Sequence, residues 1–314
     1  MPNIPDIPDS PDIPDINGIP DIPDINGIPD TGVVTITTTH RLTPATPARI
    51  SPAASPAKPH DVQSSQMVLG IDSIVPSSAA LLANARSQDY LGRAPQFWGR
   101  YFYAPGQINA AGKRDTHYAP AENGLLRASN IRVLPIARQT AHVKQANKAK
   151  NDAENNVTAI FEIFSAQYLA GADPDVLVFL DVEQNTPLAA GYYETWSDTI
   201  VTESNRISNG RVRFHPAVYG SQSDEDTWKA LKRAMDAGAP CGGIWIARYY
   251  YPTPVPKPWS DKLTAPGVAL ACPILAWQYW ASPDHAPETT NFDANLASAA
   301  HADILIDRLV MPPI

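Results

Sequence analysis

From Met67 onward the chain alternates short apolar runs with longer segments whose apolar residues recur every three or four positions. The runs are MVLGIDSI (67–74), QFWGRYFY (96–103), IRVLPIA (131–137), DVLVFLDVE (175–183), VRFHPAVYG (212–220), GGIWIARYYY (242–251), PILAWQYW (273–280) and NFDANLA (291–297). Helix-period segments occupy 77–88, 120–129, 151–172, 188–207 and 224–239. Nearly continuous apolar strands separated by helices predict a parallel sheet covered on both faces. Eight such strands predict an α/β fold, a closed (β/α)8 TIM-like barrel. Residues 63–314 are close to the ~250 residues such a barrel usually takes.

The first 62 residues follow another rule. From Ile4 to Asp30 they read as triplets, mostly Ile-Pro-Asp, with Ile-Asn-Gly twice. Proline at every third position removes backbone donors and fixes φ, so neither a helix nor a central strand tolerates it. Polyproline II, with three residues per turn, would align the isoleucines on one edge and the aspartates on another. A short β-prone run (33–39) and the linker TPATPARISPAASPAKP (43–59) follow. The expectation is an extended tether, with the isoleucine edge of residues 4–30 as a docking strip for a protein carrier or particle.

Charge and composition narrow the partners. The net charge is −8 without a basic cluster, which disfavours nucleic acid and anionic membrane surfaces. No segment reaches the ~18 apolar residues of a membrane span, and the amino terminus lacks the basic-then-apolar order of a conventional signal peptide. Localisation stays open, with export by a dedicated system to the cell wall as one route. The seven histidines contain no HExxH-type pair, so neither metal nor cofactor is expected. Cys241 and Cys272 each precede a strand, GGIWIA and PILAW. That puts both near the amino-terminal face of neighbouring strands, where a disulfide requires Cα atoms within ~7 Å. Bridged and free are both open.

Barrel chemistry collects at the carboxyl ends of the strands. There stand Asp72; Arg100 and Tyr101; Arg138 and Gln139; Asp181 and Glu183; Tyr219; Arg248 and Tyr249; Gln278, Tyr279 and Trp280; and Asp293. Asp181 and Glu183 sit at i and i+2 on a strand, hence on one face with Cβ atoms ~6.5–7 Å apart. Two acids so close at a desolvated rim push one pKa upward, the condition for a general acid in glycosidic cleavage. Barrel closure brings Asp72 and Asp293, on the first and last strands, towards them. The bland alternative is that these acids cap helices and form ion pairs. The aromatic residues offer faces for pyranose stacking; alternation pairs Trp277 with Tyr279 on one face and Gln278 with Trp280 on the other.

With GIDSI, FLDVEQ, IWIARY, AWQYW and FDANL in this order, residues 67–297 resemble the glycoside hydrolase family 25 muramidases. FWGRYFY, LPIARQ and the alanine-rich helix before VLVFLDVE are closer still to their relatives, the glycoside-hydrolase-like TIM-barrel domains of uncertain function. The resemblance implies an irregular barrel with fewer than eight regular helices. It also implies Glu183 as catalytic acid, Asp181 as the carboxylate that orients a reacting N-acetyl group, and Asp72 and Asp293 as companions. Substrate binding falls to Tyr101, Arg100, Gln139, Tyr219, Arg248, Tyr249, Gln278, Tyr279 and Trp280. The expected activity is lysozyme-like hydrolysis of a β-1,4-linked amino-sugar polymer, peptidoglycan or a chitin-like glycan. The long loop at 105–124 and the insertion at 249–267 depart from the muramidases. The rival expectation is a catalytically silent barrel that binds cell-wall glycan or serves as structural cargo.

Overall fold

The computed structural model describes residues 67–102, 117–138, 142–183, 185–283 and 285–314. The Ile-Pro-Asp arm, its linker and Gln139 lie outside the described residues. Eight strands close into a barrel in sequence order: β1 (Leu69–Asp72), β2 (Phe97–Tyr101), β3 (Arg132–Arg138), β4 (Asp175–Val182), β5 (Arg213–Ser221), β6 (Ile244–Ala247), β7 (Ile274–Trp280) and β8 (Asp293–Ala297). Each overlies one of the eight apolar runs.

Strands β1 to β7 run parallel, but β8 is antiparallel to both β7 and β1. The cause is the connection. Residues 281–292 form no helix among those described, and a parallel return is usually made by a crossover helix. The chain turns at the end of β7 and comes straight back.

The helices on the outside are uneven: α1 (Ala79–Arg86), α2 (Asn123–Ala128), α3 (Ala149–Phe164), α4 (Ala166–Ala172), α5 (Ala190–Ser208), α6 (Glu225–Asp236), the single turn α7 (Asp261–Thr264) and α8 (Ala302–Ile306). The helical segment expected at 151–172 divides at Ser165, which adopts φ 53° and whose hydroxyl accepts from the amide of Tyr168 to start α4. Asp224 starts α6 in the same manner, its carboxylate accepting from the amide and hydroxyl of Thr227.

Alternation along the strands sorts the core into two layers. Val133, Val178, Leu180, Ile246 and Trp277 face the helices; Phe97, Leu134, Leu177, Phe179 and Trp245 fill the barrel. Leu305 and Leu309 pack into that inner layer. The tail beyond α8 is then stitched to the strands, with Val310 paired to Val133 and the amide of Leu177 donating to the carbonyl of Arg308. Those contacts lie at the amino ends of β3 and β4, so the carboxyl ends form the open mouth.

Candidate active site

Asp72 ends β1 and Asp293 begins β8, and the antiparallel register sets them directly opposite one another. Room for Asp72 comes from Gly99, its neighbour on β2, where a Cβ would stand 2.6 Å from the Asp72 Cβ. Between the two acids sits Gln278. Its amide nitrogen donates to Asp72 Oδ1 (3.1 Å) and Asp293 Oδ2 (2.7 Å), while its oxygen accepts from the hydroxyls of Tyr219 (2.5 Å) and Tyr249 (3.3 Å). Both amide hydrogens and the amide oxygen are thus committed, which fixes the orientation of the side chain. Asn295 adds a second donor to Asp72 Oδ1 (2.7 Å) and is itself held by the indole of Trp245 (2.9 Å). Ser282 ties down the other acid, its amide donating to Asp293 Oδ1 at 2.9 Å.

Burial acts against these donors. Asp72 is 5% exposed, and desolvation, with the charge of Asp293, carries its pKa well above the carboxylate range. Asp293 is pushed up to about 6, again chiefly by burial.

Asp181 and Glu183 form the second pair. Leu177, Phe179 and Asp181 alternate into the barrel, and Asp181 ends that row only 1% exposed. Its Oδ2 has no hydrogen-bond partner, and the nearest cation, Arg138 Nε, is 3.8 Å away. Desolvation first, then the charge of Glu183, raise the Asp181 pKa to about 8; Arg138 opposes the rise. At neutral pH Asp181, the deeper member of the pair, therefore keeps its proton. Arg138 also spreads over the ring of Tyr101, 5.4 Å from its centroid.

Two adjoining hollows open above these acids. The larger, about 560 Å3, is bounded by Glu183, Tyr219, Gln222, Arg248, Tyr249 and Tyr250; the smaller, about 390 Å3, by Asp72, Tyr101, Tyr249, Ser282, His285 and Asp293. Tyr249 belongs to both. It and Tyr250 are 58% and 57% exposed, flat apolar faces at the rim of a polar cleft, which suits stacking on sugar rings. Among the described residues no three His, Cys, Asp or Glu converge to hold a metal ion. No described helix is long and apolar enough to cross a membrane.

Neither a family model nor a curated protein matches the sequence. The chain is similar in structure to an uncharacterized B. stearothermophilus protein, with a TM-score of 0.56 and 20% identity, over 77% of this chain and 99% of that one. It is also similar to the Clostridium perfringens spore cortex lytic enzyme SleM, with a TM-score of 0.40 and 15% identity, over 74% of this chain and 68% of that one. At 20% identity the first of these likenesses is one of fold.

Three residues expected at the mouth stand elsewhere. Arg100 is fully buried in the wall, paired with Glu122 through two bonds of 2.9 and 3.0 Å and donating to the carbonyl of Ser73. Strand alternation explains it: Gly99 and Tyr101 face inward, so Arg100 faces the helices. Tyr279 points outward as well, its hydroxyl bound to the carbonyl of Pro254. Alternation alone would give Trp280 the face of Gln278, but a register shift between them breaks the pattern. It packs against Tyr90 and Phe292 instead. Of Asn295, Trp245 and Ser282, which hold the acids, one alone carries a readable signal in the sequence: Asn295 stands at i+2 from Asp293.

Proposed function

We propose that the barrel is a glycoside hydrolase acting on a β-1,4-linked amino-sugar polymer, with peptidoglycan the first candidate and chitin-like glycan the second. The observation that carries this reading is the arrangement of carboxyls: Glu183, Asp72 and Asp293 line two adjoining hollows that share Tyr249, and Asp181, buried two residues before Glu183, keeps its proton at neutral pH. A proton donor beside an ionised acid is what glycosidic cleavage requires. The exposed Tyr249 and Tyr250 supply the stacking surface.

In this mechanism Glu183, the member of its pair that bounds the cleft, delivers the proton to the leaving glycosidic oxygen. Asp181, which burial keeps protonated beside it, is the group that passes a proton to Glu183 in the complex. The newly ionised Asp181 then faces Arg138 on one side and the substrate on the other. There it orients the N-acetyl group and stabilises the positive charge that develops at the anomeric carbon. Glu183, now a carboxylate, activates the water that completes hydrolysis. Asp72 and Asp293 keep the cleft floor polar, with Gln278 fixing their geometry.

The binding-only reading draws on one feature: Gln278 occupies oxygens of both Asp72 and Asp293, as a purely structural network would. Release of reducing ends from purified peptidoglycan and from chitin oligomers separates the two. A Glu183→Gln variant is expected to lose at least ~10^2-fold in rate, in line with removal of a general acid, and to retain oligosaccharide binding by calorimetry. Undiminished activity removes Glu183 as the acid. Binding without turnover in the parent protein establishes the silent barrel.

A further inference from the structure

At the closed end of the barrel, opposite the cleft, the two cysteines of the chain meet. Cys241 leads into β6 and Cys272 into β7, two strands whose register pairs Ile244 with Ile274. The amide of Ile244 donates to the carbonyl of Pro273 at 2.9 Å, so the segments carrying the cysteines begin side by side. Carried back, that pairing sets Cys272 opposite Gly242, one residue from Cys241; a strand spacing of ~4.8 Å with an offset of ~3.3 Å gives about 5.8 Å, inside the ~4.4–6.8 Å range of Cα separations that a disulfide spans. Gly243 makes this approach possible. Its φ is 153°, and a Cβ there would stand 2.4 Å from Leu275 Cδ1.

Both thiols are free and half-buried, and they lie close enough to shift each other's pKa; the Cys241 thiol donates to the carbonyl of Gly243 at 3.5 Å. The Tyr193 hydroxyl, delivered by α5, lies beside Cys241. The neighbouring Cys272 thiol lowers the Cys241 pKa, which favours its thiolate, the species that attacks a disulfide.

We propose that Cys241 and Cys272 are an oxidisable pair that closes into an intramolecular disulfide stapling β6 to β7 when the protein meets a disulfide oxidant. The oxidant is a low-molecular-weight or protein disulfide, RSSR. It first forms a mixed disulfide on one cysteine with release of one RSH, and the other cysteine's thiolate then displaces the second RSH. The two protein thiols lose two electrons and two protons, and RSSR gains them. The bridge encloses residues 242–271, which carry Arg248, Tyr249 and Tyr250 of the cleft wall. It restricts the unfolded chain through that loop while leaving the cleft itself, at the other end of the barrel, unchanged. The inference is independent of the glycan reading.

Incubation of the full chain with oxidised glutathione, followed by alkylation under denaturing conditions and mass spectrometry, tests it. The expected product is a monomer that has lost two hydrogens and whose linked peptide joins residues 241 and 272. Its melting temperature rises by about 5–10 °C, from the typical stabilisation by a bridge across a loop of this size, and falls back on reduction with dithiothreitol. Cys272→Ser shows no oxidation-dependent rise. Persistent glutathione adducts, intermolecular dimers or thiols that stay free overturn the proposal; so does a bridge that shifts the melting temperature by less than ~1 °C, below the range such staples give.

Discussion

The substitution Asp181→Asn separates charge from shape at the most deeply buried acid of the cleft. The Asp181 pKa rises from 3.8 to about 8 on folding. Below pH 4 the folded and unfolded chains both carry the proton, and Asp181 costs nothing. As the pH climbs towards 8 the unfolded chain releases the proton while the folded chain keeps it, so stability is lost throughout that window. At ~1.4 kcal/mol per pH unit the loss by pH 8 is bounded at roughly 5 kcal/mol. Relaxation of the surroundings around the charge brings it to the order of 2–4 kcal/mol. The amide of the Asp181→Asn variant does not titrate and has no such dependence. The assay is thermal unfolding of wild type and variant from pH 4.5 to pH 8.5 at constant ionic strength. Asp293, whose pKa is also raised, tilts both curves alike, and so does most of the Asp72 shift, in which the charge of Asp181 is the smallest of the causes. The two proteins are expected to melt within a few degrees of each other at pH 4.5, with the variant higher by about 5–10 °C at pH 8. Hydrolysis falls in the variant at every pH. Parallel curves, with one gap across the range, would refute the burial argument.

Gln278→Leu leaves two buried aspartates without a shared donor; a loss of about 2–4 kcal/mol in stability is expected from the unsatisfied groups, with the acidic limb of the pH–rate profile moved upward. Gly99→Ala puts a methyl group against Asp72, an overpacking worth about 1–3 kcal/mol, and is expected to cut hydrolysis at least tenfold while circular dichroism stays that of the parent. Deleting residues 308–314 removes the buried Leu309 and Val310 and the partners of Leu177 and Val133. At ~1.5–3 kcal/mol per buried aliphatic side chain, calorimetry is expected to show a melting temperature lower by 10 °C or more.

Strand identity is legible because a strand buried on both faces must be apolar along its whole length, and eight such runs stand out between helix-period segments. Arg100 is equally legible in hindsight. Two residues after Trp98, it lies on the helix face, and only reading it together with Tyr101 as a strand end places it in the cleft. Trp280 is not legible, because a register shift changes which face follows without altering the composition. The partner of Arg100, Glu122, comes from the 3-10 turn that leads into α2, 22 residues away, and nothing local in the sequence joins the two.

The direction of β8 decides more of the site than any single residue. A parallel β8 would bring its last residues to the mouth and send Asp293, its first, about 13 Å down the barrel, four residues at ~3.3 Å each. Asp72 would then face Ala297, and Gln278 would have one carboxylate to hold. The reversal follows from a segment visible in the sequence: ASPDHAPETTN, with two prolines and no apolar stripe, cannot cover the sheet as a crossover helix. Once β8 runs backward, alternation carries Asp293 and Asn295 inward together. The donor that Asp72 needs thus arrives on the same strand as the acid that raises its pKa.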